Sequence, residues 1–172
     1  MHLAFTTMNT ATEVRPDLLA RALEERGYEA LFYGEHPQIP VARRTPYPAG
    51  GEMPDLYRHM MDPFVGLTLA ASATRRLRLG TGVCLVLEHD PFVLAKTVAS
   101  LDVVSGGRVL FGVGVGWNVE ELAVHRPDLP WSRRHRAAAD TVAALRALWT
   151  DEEASHEGTH VRFEPVWSFP KP

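Results

Sequence analysis

Two polar residues stand at the end of a predicted strand, a position from which side chains can reach a substrate. Glu35 and His36 follow the predicted strand Glu29 to Tyr33 and precede a long proline-rich segment. Histidine exchanges protons near neutral pH, and carboxylates also take part in acid–base chemistry. Neighbouring strand residues point to opposite faces, so we do not expect both side chains to face one site. Glu35 and His36 are therefore separate candidate catalytic residues, and a hydrogen-bonded structural histidine is the alternative for His36.

A glycine-rich stretch runs from Gly112 to Gly116, directly after another predicted strand. A dinucleotide-binding fingerprint, G-x-G-x-x-G, needs a glycine at its sixth position and a helix that opens on it. Trp117 occupies the sixth position, and we predict no helix directly after the glycines. The stretch instead favours a strand end at which the backbone approaches a flat ligand closely. A tight strand exit without a ligand is the alternative.

The remaining reactive residue types show no spacing that indicates a metal centre or covalent catalysis. The chain has 8 histidines and 1 cysteine without an H-E-x-x-H pattern, so we predict no metal site. It contains neither a G-x-S-x-G elbow nor a Walker loop, the motifs of nucleophile-elbow hydrolases and P-loop enzymes. We expect a structural role for His89 beside a helix cap. Five other histidines lie in polar stretches and are predicted at the surface: His59, His125, His135, His156 and His160.

The composition is typical of a globular protein of the cytoplasm. Of 172 residues 45% are hydrophobic, and the formal net charge is only −3, which excludes a disordered chain. A pI of 6.2 argues against a nucleic-acid partner. The apolar run Leu79 to Leu87 falls far short of the roughly 20 residues that span a bilayer. The unpartnered Cys84 and the lack of a secretory signal indicate a reducing cytoplasm.

The elements that must position these residues are short strands alternating with amphipathic helices. This alternation predicts parallel strands joined by right-handed crossovers. An open doubly wound sheet and part of an eight-fold barrel both fit the pattern. On the first helix, Leu18, Leu19, Ala22 and Leu23 form the expected buried face. The predicted strands are Leu3–Thr6, Glu29–Tyr33, Leu77–Val83 and Arg108–Val113, and the helices run from Pro16 to Gly27, Asp62 to Thr74, Asp90 to Ser105 and Ser132 to Trp149.

Two segments depart from the alternation. Residues Pro37 to Met60 carry 5 prolines and are predicted to form a long loop after the second strand, a length typical of functional lids. Arg43 and Arg44 of this loop are candidate anion contacts. The segment from Asp151 to Pro172 is predicted to be an extended tail without a further strand or helix.

Three groups of residues together resemble the luciferase-like monooxygenase family. They are Leu31-Phe32-Tyr33-Gly34-Glu35-His36, then Leu79-Gly80-Thr81-Gly82-Val83, then the run from Leu101 through Ser105-Gly106-Gly107-Arg108 to Gly116-Trp117-Asn118. The resemblance covers essentially the whole chain in order and is greatest to the branch that uses coenzyme F420. The segment from Ser105 to Gly116 is its most specific part.

The resemblance implies a TIM (β/α)8 barrel, of which residues 1–172 form a single domain with about the first four βα units. It implies coenzyme F420, or alternatively FMN, at the carboxyl ends of the strands, and hydride transfer or monooxygenation on a small organic substrate. His36 matches a histidine near the reactive ring, and Gly82–Val83 matches a cis peptide bond. The implied cofactor contacts are Thr81, Gly82, Val83, Gly114, Gly116, Trp117 and Asn118.

One departure from the family pattern concerns proton transfer. Some deazaflavin dehydrogenases carry a catalytic glutamate where this chain has Trp117, and Glu120 or Glu121 are the possible substitutes.

Family members are about twice as long, and the chain is expected to be truncated after its fourth unit. Three explanations remain open: a fragment of a longer protein, a truncated gene, or two copies that pair along their open strand edges as a homodimer. The leading function is therefore a flavin- or deazaflavin-dependent oxidoreductase. The alternative is a catalytically silent half-barrel that binds a cofactor or partner. A nicotinamide-binding doubly wound enzyme is disfavoured by the broken glycine fingerprint.

Overall fold

A computed structural model describes residues 2–172 and shows eight strands and five α-helices. The strands are β1 Ala4–Thr7, β2 Ala30–Tyr33, β3 Arg78–Thr81, β4 Cys84–Leu85, β5 Val109–Leu110, β6 Val113–Gly114, β7 Ala154–Glu157 and β8 Arg162–Val166. The helices are α1 Pro16–Glu25, α2 Pro63–Ala73, α3 Pro91–Ser105, α4 Val119–His125 and α5 Arg134–Thr150. None of the helices between residues 2 and 172 has the length and apolar character needed to cross a membrane.

The main sheet is parallel, and its strands follow one another in chain order, β1-β2-β3-β5. An open doubly wound sheet reverses its strand order near the middle, and these four strands do not. Each helix between two strands returns the chain to the same end of the sheet, so all four carboxyl ends meet at one edge. This order is the one expected for consecutive units of a barrel.

The third predicted strand, Leu77–Val83, ends early and is followed by a separate short strand, and the fourth is divided into two short strands. Gly82 and Val83, joined by the expected cis peptide bond, separate β3 from β4, and Gly112 lies between β5 and β6. The Thr81 hydroxyl donates to the carbonyl oxygen of Gly112 at 2.8 Å and accepts its N–H at 3.0 Å. Beyond this point β4 pairs with β6 in parallel, with Cys84 opposite Val113. The strand ends therefore change direction together at the rim of the sheet.

The predicted helix boundaries are confirmed at the residues that cap them. The Asp62 carboxylate accepts the N–H of Val65 at 2.8 Å and starts α2, and Asp90 accepts two N–H groups and starts α3. Each aspartate is followed by a proline, which lacks the N–H that the first helical residue would leave unpaired. Gly106 ends α3 in the left-handed conformation with φ +74°, which glycine adopts without steric cost.

Arg108 of the Ser-Gly-Gly-Arg segment joins three elements through its guanidinium group. It donates to the carbonyl oxygens of Ala71 and Leu77 at 2.9 Å, and to the Ser105 carbonyl oxygen at 2.6 Å. It also donates to the Thr74 hydroxyl. These acceptors lie at the ends of α2 and α3 and just before β3, and helix ends leave carbonyls without partners in their own helix. Arg108 is thus a structural connection between these elements.

Two sequence predictions about elements are wrong. A helix, α4, does follow the glycine-rich stretch, because Asn118 caps it by accepting the N–H groups of Glu120 and Glu121. The tail is not simply extended, since β7 and β8 form an antiparallel hairpin. The Asp140 carboxylate of α5 fixes the hairpin turn by accepting the N–H of His160 at 2.6 Å.

Four predictions about burial are also wrong. Leu18 is 50% exposed, because the buried face of α1 is formed by Pro16, Ala20 and Leu23. Three histidines predicted at the surface are half-buried beside a carboxylate on a neighbouring element: His125, His156 and His160. The His156 ring lies 2.8 Å from Asp140, the His160 N–H donates to the same carboxylate, and His125 lies 3.6 Å from Glu88.

Candidate active site

The carboxyl ends of the parallel strands surround a cavity of about 370 Å³. Six of the predicted site residues line it: Glu35, His36, Gly82, Val83, Gly116 and Trp117. The long loop adds Tyr57 and Met60, which the sequence did not single out. Cavities of this size at the carboxyl end of a parallel sheet are the usual place for small-molecule sites.

His36 is held from both ring nitrogens. Its Nδ1 lies 2.8 Å from one carboxylate oxygen of Glu121 and 2.9 Å from the other. The indole N–H of Trp117 donates to Nε2 at 3.2 Å. The imidazole side chain is only 8% exposed, so these two contacts replace water around the ring. The structural position of His36 agrees with the predicted strand end.

Glu121 belongs to a group of buried carboxylates. Its side chain is fully buried, and that of Glu88 is only 2% exposed. Burial, together with the negative charges of Glu121 and Glu35, raises the pKa of Glu88 to about 9. Glu88 is therefore protonated at neutral pH. Its neighbour His125 lies 3.6 Å away, and burial lowers the pKa of this histidine below the ordinary value.

Between the two possible substitutes for the missing glutamate, the structure brings Glu121 rather than Glu120 to His36. Glu120 turns toward the long loop instead. Glu121 lies 85 positions from His36 in the chain, so no local pattern connects the two. The one available signal is that Glu121 stands three residues after the Asn118 cap, where a helix start commonly places a glutamate.

Glu35 contacts a different set of groups from those around His36. One carboxylate oxygen accepts the N–H of Leu85 at 2.6 Å, and the other lies 2.8 Å from His89 Nε2. Burial lowers the pKa of His89, but the hydrogen bond to Glu35 and the charge of Glu35 raise it by more than burial lowers it. The net pKa of His89 therefore lies above the ordinary value. Glu35 and His36 have different hydrogen-bond partners, but both line the same cavity, which differs from the expectation that they do not face one site. His89 has structural contacts as expected.

One cluster of possible metal-ligating groups lies within residues 2–172, formed by Glu35, Cys84 and His89 with their ligand atoms within 4.8 Å of one another. Burial, with the adjacent Glu35 charge, raises the pKa of the Cys84 thiol, which keeps the sulfur protonated. The Glu35 oxygens already accept hydrogen bonds from Leu85 and His89. The absence of a metal site stays a prediction.

The loop from Pro37 to Met60 folds over the rim and includes one short 3-10 turn, Asp55–His59. Its Tyr47 and Tyr57 rings pack edge-on against Trp117, with centroids 5.8 and 6.2 Å away. Burial, and then the hydrogen bond to Tyr47, raise the pKa of Tyr57 to about 12. Glu120 fixes the loop to α4 by accepting the hydroxyl of Thr45 at 2.6 Å. The loop therefore closes one side of the cavity.

Three predicted cofactor contacts lie outside the cavity lining. Thr81 bonds Gly112 as described above, and the Asn118 side chain is buried under its capping bonds. A Cβ atom at Gly114 would lie 2.3 Å from Val83 Cγ2, so this glycine makes room for Val83. Their cofactor contacts stay predictions. The candidate anion contacts are at the loop surface: the Arg44 side chain is 99% exposed, and Arg43 donates to the Pro40 carbonyl oxygen.

The cavity wall suits a flat ring system. Val83 is 40% exposed despite its apolar side chain, and Gly82 beside it is also exposed. Gly116, with φ +68°, contributes a further part of the cavity lining without a side chain. An apolar face bordered by glycines, with His36 at its edge, is the surface that a flavin-type ring would need. The residues present therefore fit such a group.

A family model described as luciferase-like monooxygenase matches residues 13–172. Among relatives, an uncharacterized protein of Mycobacterium tuberculosis, Rv0953c, is 42% identical over 175 aligned positions, which cover 100% of this chain and 61% of the relative. The F420-dependent hydroxymycolic acid dehydrogenase of the same organism is 27% identical, over 89% of this chain and 39% of its own. The chain thus spans about three fifths or less of these relatives.

Two solved structures have the same fold. The monooxygenase RslO1 from Streptomyces bottropensis superposes with a TM-score of 0.80 at 27% identity, over 99% of this chain and 50% of its own. The oxygenating constituent of 3,6-diketocamphane monooxygenase from Pseudomonas putida, in complex with FMN, gives 0.74 at 16% identity, over 95% and 43%. The predicted fold class, a TIM-barrel family of which the chain covers only part, is confirmed.

Proposed function

The chain belongs to the luciferase-like monooxygenase family, and on that premise we propose that it forms the cofactor-facing part of an oxidoreductase that transfers hydride to or from a small organic substrate. The observation that carries the proposal is His36, a buried proton-exchanging group at the rim of a cavity whose wall fits a flat ring. Because the chain spans 61% of its relative Rv0953c, activity is proposed for the protein that supplies the remaining barrel units.

Coenzyme F420 is the proposed cofactor, with FMN as the alternative. The F420-dependent dehydrogenase at 27% identity supports the first, and the FMN complex with the same fold supports the second. When bound, a deazaflavin or flavin supplies a two-electron carrier for hydride. Val83, Gly82 and Gly116 would contact the flat ring. His36 would exchange a proton with the substrate, while Trp117 and Tyr57 exclude water from that side of the cavity.

A second candidate is a silent half-barrel that binds a cofactor or partner without turnover. It is favoured by Trp117, which replaces the glutamate of some deazaflavin dehydrogenases and already occupies His36 Nε2. Binding alone does not separate the two candidates, whereas binding together with turnover does.

The test is a fluorescence titration of the purified chain with coenzyme F420 and, separately, with FMN. We expect saturable binding of one of them. Val83→Asp should abolish it, because a charge in the apolar wall loses hydration when the ring covers it. Val104→Asp is the matched control, since Val104 is a 70% exposed valine on α3 that does not line the cavity. Equal affinity of the Val83 variant, or no binding by the folded wild type, would contradict the proposed site.

A further inference from the structure

The two contacts of His36 together determine which ring nitrogen carries hydrogen. Indole nitrogen can only donate a hydrogen bond, so Nε2, which faces the N–H of Trp117 at 3.2 Å, must offer its lone pair. In a neutral imidazole the hydrogen then sits on Nδ1. Nδ1 lies between the two oxygens of Glu121 at 2.8 and 2.9 Å, which is the geometry of a donor facing a carboxylate.

The surroundings of Glu121 strengthen this arrangement. Its side chain is fully buried, so water does not compete for the carboxylate. Its backbone is fixed, because Asn118 caps the first turn of α4 and accepts the Glu121 N–H at 3.3 Å. Other titratable groups of this region are Glu88, Glu35, His89, His125 and Tyr57, whose ring lies 5.2 Å from that of His36. Glu88 is neutral at pH 7, since its pKa is raised to about 9 by burial and by the Glu121 and Glu35 charges, and Glu35 contacts His89 rather than His36.

From this geometry we propose that Glu121 is a positioning residue that keeps His36 in the Nδ1–H tautomer and so directs the Nε2 lone pair into the cavity. The chemistry of this role rests on the proposed function. It makes His36 a proton acceptor toward a substrate group that donates a hydrogen bond, such as a hydroxyl. The Trp117 indole N–H occupies the place of that donor in the structure.

The proposed oxidation of the substrate alcohol transfers one proton and one hydride. The hydroxyl proton passes to Nε2, and the electron pair it leaves stays on oxygen to form the C=O bond. An oxidised deazaflavin or flavin, when bound, would accept the hydride from the same carbon and so take up the two electrons. The resulting imidazolium is stabilised by the Glu121 carboxylate on its other nitrogen.

The experiment is ¹H–¹⁵N spectroscopy of the whole chain labelled at histidine, with His36 signals assigned through the His36→Gln variant. Long-range couplings distinguish the two tautomers without any cofactor or turnover. We expect the Nδ1–H pattern in the wild type near neutral pH. Because the Trp117 indole N–H favours the same tautomer, the Glu121 variants are combined with Trp117→Phe, which removes that donor. In this background Glu121→Gln, which retains an acceptor oxygen, should keep the Nδ1–H pattern, and Glu121→Ala should lose it.

The matched control is Glu120→Ala, the neighbouring glutamate on α4 whose carboxylate bonds Thr45 rather than His36; it should keep the Nδ1–H pattern. An Nε2–H pattern in the wild type, or an unchanged pattern when Glu121→Ala is combined with Trp117→Phe, would overturn the proposal. If that double variant does not fold, Trp117→Phe alone decides it: only Glu121 then fixes the tautomer, and an Nε2–H pattern would overturn the proposal. In a cofactor-loaded, active protein kcat should fall about 10²–10⁴-fold in Glu121→Ala with cofactor affinity unchanged. Failure of the wild type to bind a cofactor would reject the proposed function and leave the tautomer result independent.

Discussion

His36, Trp117 and Glu121 meet at one point although they come from the end of β2, the rim after β6 and the helix α4. Such a group gives a proton-exchanging side chain two fixed partners and little contact with water. The proton-transfer role of His36 can therefore be tested separately from cofactor binding by the cavity that His36 borders.

Replacing His36 by alanine should lower turnover of the complete enzyme about 10²–10⁴-fold, the usual contribution of a general acid or base. Cofactor affinity should change little, because the apolar wall around Val83 is retained. The comparison is steady-state kinetics against His135→Ala, since His135 is an exposed histidine of α5. An unchanged rate in the His36 variant would reject the proton-transfer role.

The sequence identified His36 because a strand end is a local pattern, and the structure places it at the cavity. It named Glu121 only as one of two substitutes, since a contact across 85 positions has no local signal. Thr81, Gly114 and Asn118 show the reverse case. The family resemblance implied cofactor contacts for them, which stay predictions; the contacts that the structure gives them connect neighbouring strands or cap a helix.

At the scale of elements, Glu24 on α1 connects that helix to the start of β3. Its carboxylate accepts the N–H groups of Arg75, Arg76 and Leu77, with the closest at 2.7 Å. Partial burial raises the pKa of Glu24, but the backbone N–H donors of Arg76, Leu77 and Arg75 together lower it by more than burial raises it. The net pKa of Glu24 therefore lies below its usual 4.5. The ionised carboxylate therefore stabilises the fold.

Because this pKa is lowered by folding, the stabilisation is complete above about pH 4.5 and is lost as the pH falls through the folded-state value. Glu24→Gln should lower the free energy of unfolding by about 1 kcal/mol at neutral pH, a charge-assisted bond discounted for solvent exposure. The difference should shrink below pH 4.5. Denaturant unfolding at several pH values measures it, with Glu25→Gln, an exposed neighbour, as control. A difference that does not depend on pH would contradict the assignment.

The elements that the sequence predicted well are those with local signals. Asp62-Pro63 and Asp90-Pro91 mark helix starts, because each aspartate caps N–H groups two or three positions further along the chain, and Gly106 marks a helix end. The tail hairpin was missed because its turn depends on Asp140, 20 positions away from His160. The interruptions between β3 and β4 and between β5 and β6 were missed because they depend on hydrogen bonds that Thr81 and Gly112 form across strands.

At the scale of the whole molecule, the sheet of residues 2–172 has an unpaired edge on β1 and another on β5. Unpaired strand edges are templates for pairing with another chain. We therefore expect the isolated chain to self-associate, with a molar mass by light scattering of at least twice 19.1 kDa. Thr6→Lys on the edge strand β1 should reduce this association, whereas Val104→Lys on α3 should not. A monodisperse monomer with cooperative unfolding would contradict self-pairing.

The buried Cys84 thiol can report how often the strands beside the cavity open. It is the single cysteine of the chain, it is fully buried, and burial with the Glu35 charge raises the pKa of its thiol. A thiol reagent can modify it only during the moments when β4 separates from its neighbours, so the modification rate reports how often the strands below the cavity open. Any molecule that binds only the closed form slows that rate by the factor 1 + [L]/Kd. Ligands of this site can thus be ranked by alkylation alone, before any substrate is known.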